Sequence, residues 1–272
     1  MSQQSSKIFK PLEGTTAIVT GASSGIGQQI AIQFAVQGCK HLLVHYHRNS
    51  DGAESTAKQA REFGNFAVTD RCDFADPNDS ASFVDRAFQR FSTIDAWIHC
   101  AGADVLTGDA ANWSFERKLQ SLINVDLVGT ILAARLVGER LRAQAKQFTD
   151  APPPSMLFIG WDQATEGMDG DAGQMFGPIK AGVEAFSKSL AQDLAPAVRV
   201  NTIAPGWIQT EWGNSTSEYW HQRALDQSLM HRWGTPRDIA AAAVFLSTPS
   251  NHFITGQTIQ LNGGWNRRYD LK

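Results

Sequence analysis

Residues 15 to 27 read Thr-Thr-Ala-Ile-Val-Thr-Gly-Ala-Ser-Ser-Gly-Ile-Gly, and this stretch limits the fold more than any other. The apolar run Ala17 to Val19 predicts a buried strand, and Gln28 to Gln37 carries Ile30, Ala31, Phe34 and Ala35 at helical spacing. Between them stand Gly21, Gly25 and Gly27, where side chains would crowd a tight turn. A strand, a glycine turn and a helix start bring the backbone N–H groups of Gly21, Ser23, Ser24, Gly25, Ile26 and Gly27 toward an anion that the helix N-terminus also attracts. A dinucleotide diphosphate is the expected anion. The Gly-x3-Gly-x-Gly spacing departs from Gly-x-Gly-x-x-Gly, and an ordinary turn with no ligand is the bland alternative.

The pattern then repeats. Strands are predicted at His41 to His45, Phe66 to Cys72 and Ala96 to Cys100, with helices at Ala53 to Phe63 and Asp79 to Phe91 and no hairpin signals. Four strand–helix units of this kind imply a parallel sheet with helices on both faces. A long helix is predicted from Phe115 to Arg142 and strands at Met156 to Gly160, Val198 to Ile203 and Thr258 to Leu261. A helix starting near Gly177, with Pro178 in its first turn, runs to Ala195, and another spans Pro236 to Leu246. The expected fold is a single α/β domain over residues 12–272: a Rossmann-like, doubly wound, seven-stranded parallel sheet, preceded by a flexible arm at 1–11.

The second strand ends in His47, Arg48 and Asn49. A carboxylate there would accept from a ribose 2′-hydroxyl; Arg48 instead suits a 2′-phosphate, so NADP(H) is expected over NAD(H). Cys72, Asp73 and Phe74 close the third strand, and Asp73 is placed to accept from an adenine amino group. A net charge of −3 gives no electrostatic case for nucleic acid or an anionic membrane. No apolar run approaches a membrane span, and the first ten residues carry no apolar export signal. Cys39, Cys72 and Cys100 are an odd number near buried strands; they read as reduced thiols and favour the cytoplasm. The histidines lack metal-ligand spacing, and His45 and His47 are expected beside the adenosine, so no metal is expected.

In its motifs the chain resembles the short-chain dehydrogenase/reductase family. The resemblance is carried by Thr20-Gly21-x3-Gly25-Ile26-Gly27, Asp73, Cys100-Ala101-Gly102 in place of Asn-Ala-Gly, Asn124-Val125-Asp126-Leu127, Pro205-Gly206-Trp207-Ile208-x-Thr210 and Ile254 to Gly264. It implies a homotetramer or homodimer with the long helix at the interface, and coenzyme contacts at Pro205, Gly206, Ile208 and Thr210. It also implies a catalytic Asn124, a lysine on the nicotinamide ribose, a tyrosine that exchanges a proton with the substrate and a serine that orients it. The lysine is Lys180, but the tyrosine position is Phe176, and alignment by the strand puts Trp161 where the serine belongs, whereas counting back the usual separation from Phe176 puts Gln163 there, a shift of two residues.

Phenylalanine has no ionisable proton, so the usual carbonyl mechanism does not carry over. Three readings follow. A small-molecule carbonyl is reduced with a non-standard proton donor, with Asp162 the leading candidate because burial would raise its pKa, and Tyr219 a second. A conjugated carbon–carbon bond is reduced, as in dienoyl thioester reductases. Or the chain binds NADP(H) without turnover, as a sensor or structural subunit. The acidic, glycine-rich stretch from Asp162 to Gly173 reads as a mobile solvated loop, and the aromatic segment 207–233 as a substrate lid.

Overall fold

The computed structural model describes residues 9–266, so residues 1–8 of the expected arm, and residues 267–272 of the stretch from Asn266 to Lys272 that is expected to serve subunit contact, lie outside it. Seven strands form one parallel sheet in the order β3-β2-β1-β4-β5-β6-β7. They are β1 Thr16–Val19, β2 His41–Tyr46, β3 Phe66–Arg71, β4 Ala96–His99, β5 Ser155–Ile159, β6 Arg199–Pro205 and β7 Thr258–Leu261. Each lies within two residues of its predicted start and end, because a strand buried on both faces shows as a short apolar run. The order reverses between β1 and β4, which opens a crevice at the carboxyl ends of those strands.

Helices cover both faces. On one, α1 (Gly25–Val36), α2 (Ser50–Arg61) and α9 (Pro236–Ser247) bury Ile30, Phe34, Ala57, Ile239 and Leu246 against Val19, Val44 and Ile98. On the other, α3 (Pro77–Arg90), α5 (Thr130–Gln147) and α6 (Gly170–Leu194) bury Phe83, Val137 and Val183 against Leu43, Trp97 and Phe158. The short helices α7 (Glu211–Ser215) and α8 (Glu218–Gln227) lie in the predicted lid.

Four expectations need correction. The long helix is α4 (Phe115–Leu122), then a π-helical turn (Ile123–Gly129), then α5. The combined stretch Phe115–Gln147 is, by length and composition, apolar enough to cross a bilayer, contrary to the reading of the runs; its buried stripe packs against α3 and α6. The last helix before β6 begins at Gly170, not near Gly177, so Pro178 sits inside it and Phe176 is already helical. The solvated loop shrinks accordingly: 162–164 form a 3₁₀ turn in which Asp162 and Gln163 are buried.

Candidate functional site

The crevice between β1 and β4 starts at the glycine turn. Gly21 and Gly25 adopt φ of +62° and +55°, which favours residues without a Cβ. At Gly27 a Cβ would lie 2.3 Å from the Gly21 carbonyl oxygen, and at Gly21 it would lie 2.8 Å from the Ala101 Cα. Backbone therefore packs on backbone, and the Thr20 hydroxyl locks it by accepting N–H groups of Cys100 and Ala101, each at 3.0 Å. No side chain caps α1 at Ser24, and its first turn has no acidic residue. Its leading amides thus face the crevice as an anion site. This cradle fits a coenzyme diphosphate.

His45 holds the cradle from beneath. Its Nδ1 accepts the Gly21 N–H at 3.0 Å, and Nε2 pairs with the Cys72 carbonyl at 3.1 Å, which fixes the proton on Nε2. Burial lowers the imidazole to about 4, so the ring stays neutral as this geometry requires. His47, Arg48 and Asn49 follow at the rim. Asn49 caps α2 by accepting from Gly52 N–H at 2.9 Å, and its amide lies 3.5 Å from the Ser23 carbonyl, so this segment borders the glycine turn. His47 Nε2 stands 3.4 Å from Asp73 Oδ2. The Cys72 and Phe74 side chains point into the core instead, Phe74 packing on His45 and His99 at 4.8 Å, so only their backbone borders the crevice.

At the far end β5 leads into Trp161, whose N–H donates to Glu184 Oε1 at 3.2 Å. Trp161 and Phe176 meet edge to face with centroids 6.3 Å apart. One helical turn on from Phe176, Lys180 Nζ donates to the Ile159 carbonyl at 3.3 Å and pairs with Asp126 Oδ2 at 3.0 Å. The two positions where an acid–base pair was sought thus form an aromatic corner above a lysine–aspartate pair. Ile208 is buried, and Thr210 Cγ2 lies 3.8 Å from where a Cβ of Gly25 would stand, so the Pro205-Gly206 segment reaches back across the crevice to the glycine turn.

Three candidates are not in this cluster. Asn124 is exposed, and its side-chain oxygen accepts from the Gln120 amide at 2.9 Å. The residue that turns inward is Asp126, because Leu122, Asp126, Gly129, Ala133 and Val137 form the buried stripe; that three-to-four spacing was readable and points away from Asn124. Asp162 is 2% exposed and lies under the ends of β5, β6 and β7, where Oδ2 accepts from Asn262 Nδ2 at 3.1 Å and approaches Gly206. Burial pushes its carboxyl up to about 7, as expected of it, and the charge of Glu184 adds to the rise. Tyr219 is 61% exposed, and its hydroxyl accepts from Arg223 at 3.3 Å. The aromatic lid residues pack mainly on one another: Trp207, Trp212, Trp220 and Trp233 form a cluster with centroids 5.7–6.4 Å apart. Glu184 was also missed; it carries no motif, and only the fold brings it to the Trp161 N–H, whereas His45, expected beside the adenosine, lies under the glycine turn.

Comparison with known proteins agrees with this geometry. A family model described as enoyl-(acyl carrier protein) reductase matches residues 21–266. Glucose 1-dehydrogenase 2 of Bacillus subtilis is 29% identical over 260 residues, covering 94% of this chain and 96% of that one. A 3-oxoacyl-[acyl-carrier-protein] reductase of Synechocystis is also 29% identical, covering 93% and 97%. Among solved structures, a 7α-hydroxysteroid dehydrogenase complexed with NADH and 7-oxo glycochenodeoxycholic acid superposes with a TM-score of 0.82 at 26% identity, covering 94% of this chain and 96% of its own.

Proposed function

The chain belongs to the short-chain dehydrogenase/reductase family of oxidoreductases, and from that premise we propose that it reduces a small-molecule carbonyl with NADP(H) and a non-standard proton donor. The observation that carries the coenzyme part is the cradle at Gly21 to Gly27, where backbone closes on backbone below the uncapped start of α1. The amides of Gly21 to Gly27 hold the diphosphate. Arg48, with His47 and Asn49, faces the 2′-phosphate, and Asp73 accepts from the adenine amino group. Cys100, Ala101 and Gly102 flank the middle of the crevice, Lys180 holds the nicotinamide ribose, and Ile208 and Thr210 hold the carboxamide end. When bound, the nicotinamide supplies the two-electron reducing equivalent.

Trp161 and Phe176 exclude water and offer apolar contact to the substrate, under a lid formed by 207–233. Neither can donate a proton to the substrate as a hydroxyl would, so that proton comes from elsewhere. The same aromatic corner supports a second reading, in which coenzyme binds without turnover; reduction of a conjugated carbon–carbon bond is the third. Val128, Leu132 and Leu136 are exposed on the outer face of the long helical stretch and suit contact between subunits of a homodimer or homotetramer. The free thiols of Cys39, Cys72 and Cys100 suit a reducing, cytoplasmic setting.

The test is NADPH consumption against a panel of ketones and enones, for the wild type and for Phe176→Tyr. The substitution restores a phenol at i−4 from Lys180, and ketone reduction should rise by ~100-fold, the lower end of what a positioned acid contributes. Binding of NADPH by both proteins with no turnover by either would favour the second reading. Wild-type activity confined to enones would favour the third.

A further inference from the structure

We propose that Asp126 is the counter-ion of Lys180 and a positioning residue that sets how strongly the crevice prefers the oxidised coenzyme over the reduced one. The inference rests on the coenzyme reading above. Its basis is the placement of the carboxylate. Asp126 is 4% exposed on the inner side of the π-helical turn; Oδ1 accepts the Ala103 N–H at 2.7 Å while Oδ2 stands 3.0 Å from Lys180 Nζ. A Cβ on Gly102 would come within 2.8 Å of that same Oδ2, so the glycine makes room for the carboxylate. One side chain thus ties the turn after β4, the π-helical turn and α6 together.

The electrostatic consequence follows from the charges of the two coenzyme forms. An oxidised nicotinamide ring is positively charged; the reduced ring is neutral. A lone ammonium on the crevice floor would repel the oxidised ring, and in a poorly solvated site that repulsion is not screened away. Asp126 cancels it while leaving Lys180 in place. Lys180 has three N–H donors, of which one goes to Asp126 and one to the Ile159 carbonyl, so the third remains for the crevice. The other titratable neighbours do not alter the balance: burial keeps the His99 imidazole neutral, at about 3, and the Cys100 thiol protonated, at about 12. Glu184, which also feels the Lys180 charge, is the same in every variant and drops out of the comparison.

The experiment measures dissociation constants of NADP+ and NADPH for the wild type, Asp126→Asn, Lys180→Met and the double variant. Adenosine 2′,5′-bisphosphate, which lacks the nicotinamide half, serves as the control ligand. In Asp126→Asn the ratio of the NADP+ to the NADPH constant should rise roughly tenfold, the scale of one unscreened charge a few ångströms away. Lys180→Met should lower it, the double variant should return it near the wild-type value, and the control ligand should bind all four alike. Equal weakening of both coenzyme forms in Asp126→Asn, or a double variant that restores nothing, would overturn the proposal. Should Asp126→Asn not fold, Lys180→Met decides alone, and an unchanged ratio refutes the idea. Failure of the wild type to bind either coenzyme or the control ligand would instead sink the coenzyme reading itself.

Discussion

Replacing Asp162 with asparagine should stabilise the protein above neutrality, with a gain that shrinks in acid. The side chain is 2% exposed, Oδ2 accepts from Asn262, and Oδ1 is buried without a hydrogen-bond donor. Burial raises the carboxyl from 3.8 to about 7. The folded state therefore holds this proton more tightly than the unfolded chain does. Stability from this group is full below about 4, falls as pH climbs toward about 7, and is level above that. Across roughly three pH decades at ~1.4 kcal/mol each, the charged form is disfavoured by at most ~4 kcal/mol. The asparagine keeps an oxygen for Asn262 but buries an NH2 group without an acceptor, which costs ~1–2 kcal/mol at any pH. That constant cost drops out of the change with pH, so the advantage of the variant should grow by ~2.6 kcal/mol between pH 5 and pH 8. Urea unfolding followed by far-ultraviolet circular dichroism reads this as a shift in midpoint at constant slope. His45 and His99 titrate in both proteins and cancel in the difference. An advantage that does not change with pH would refute the buried-charge argument.

Two other outcomes follow from the glycine cradle. Gly27→Ala puts a Cβ within 2.3 Å of the Gly21 carbonyl; with backbone on both sides it should cost ~1–3 kcal/mol, measured by thermal melting, and weaken coenzyme binding at least ~10-fold. Because burial depresses the His45 imidazole to about 4, stability present above its ordinary 6.5 should be lost as pH falls from 6.5 toward 4. His45→Gln should flatten that slope in urea titrations, and an unchanged slope would mean the acid loss arises elsewhere.

The sheet was legible because its strands are short apolar runs bounded by turns, and the first one leads into glycines whose crowding is evident from spacing alone. The start of α6 was not. Gly167, Gly170 and Gly173 read as part of a solvated loop and Pro178 as a first-turn residue, yet the helix runs through Gly173 and Pro178 because Met175, Ile179 and Val183 bury one face. In the site, resemblance led to Asn124, whereas in the structure the buried side of this helix carries Asp126, because which residue faces inward is set by the side that meets the core. Asp162 was expected to be buried with a raised pKa, and it is, but which wall a side chain faces depends on a two-residue shift after β5 that spacing does not resolve. The tryptophans of 207–233 were read as substrate contacts; their contacts are largely with each other, a pairing that no periodicity announces.

The wide turn at Ile123–Gly129 also acts as a phase adjuster between two helical segments with different duties. α4 packs with Leu122 in the small cluster around Val105 and Met175, whereas α5 packs Ala133, Val137 and Leu141 behind the sheet. An α-helix advances about 100° per residue, so deleting one position here would swing one segment's apolar side toward water while the other stayed in place. The number of residues in this turn is therefore more tightly constrained than their identity, and a single-residue deletion should do more harm than most substitutions within it.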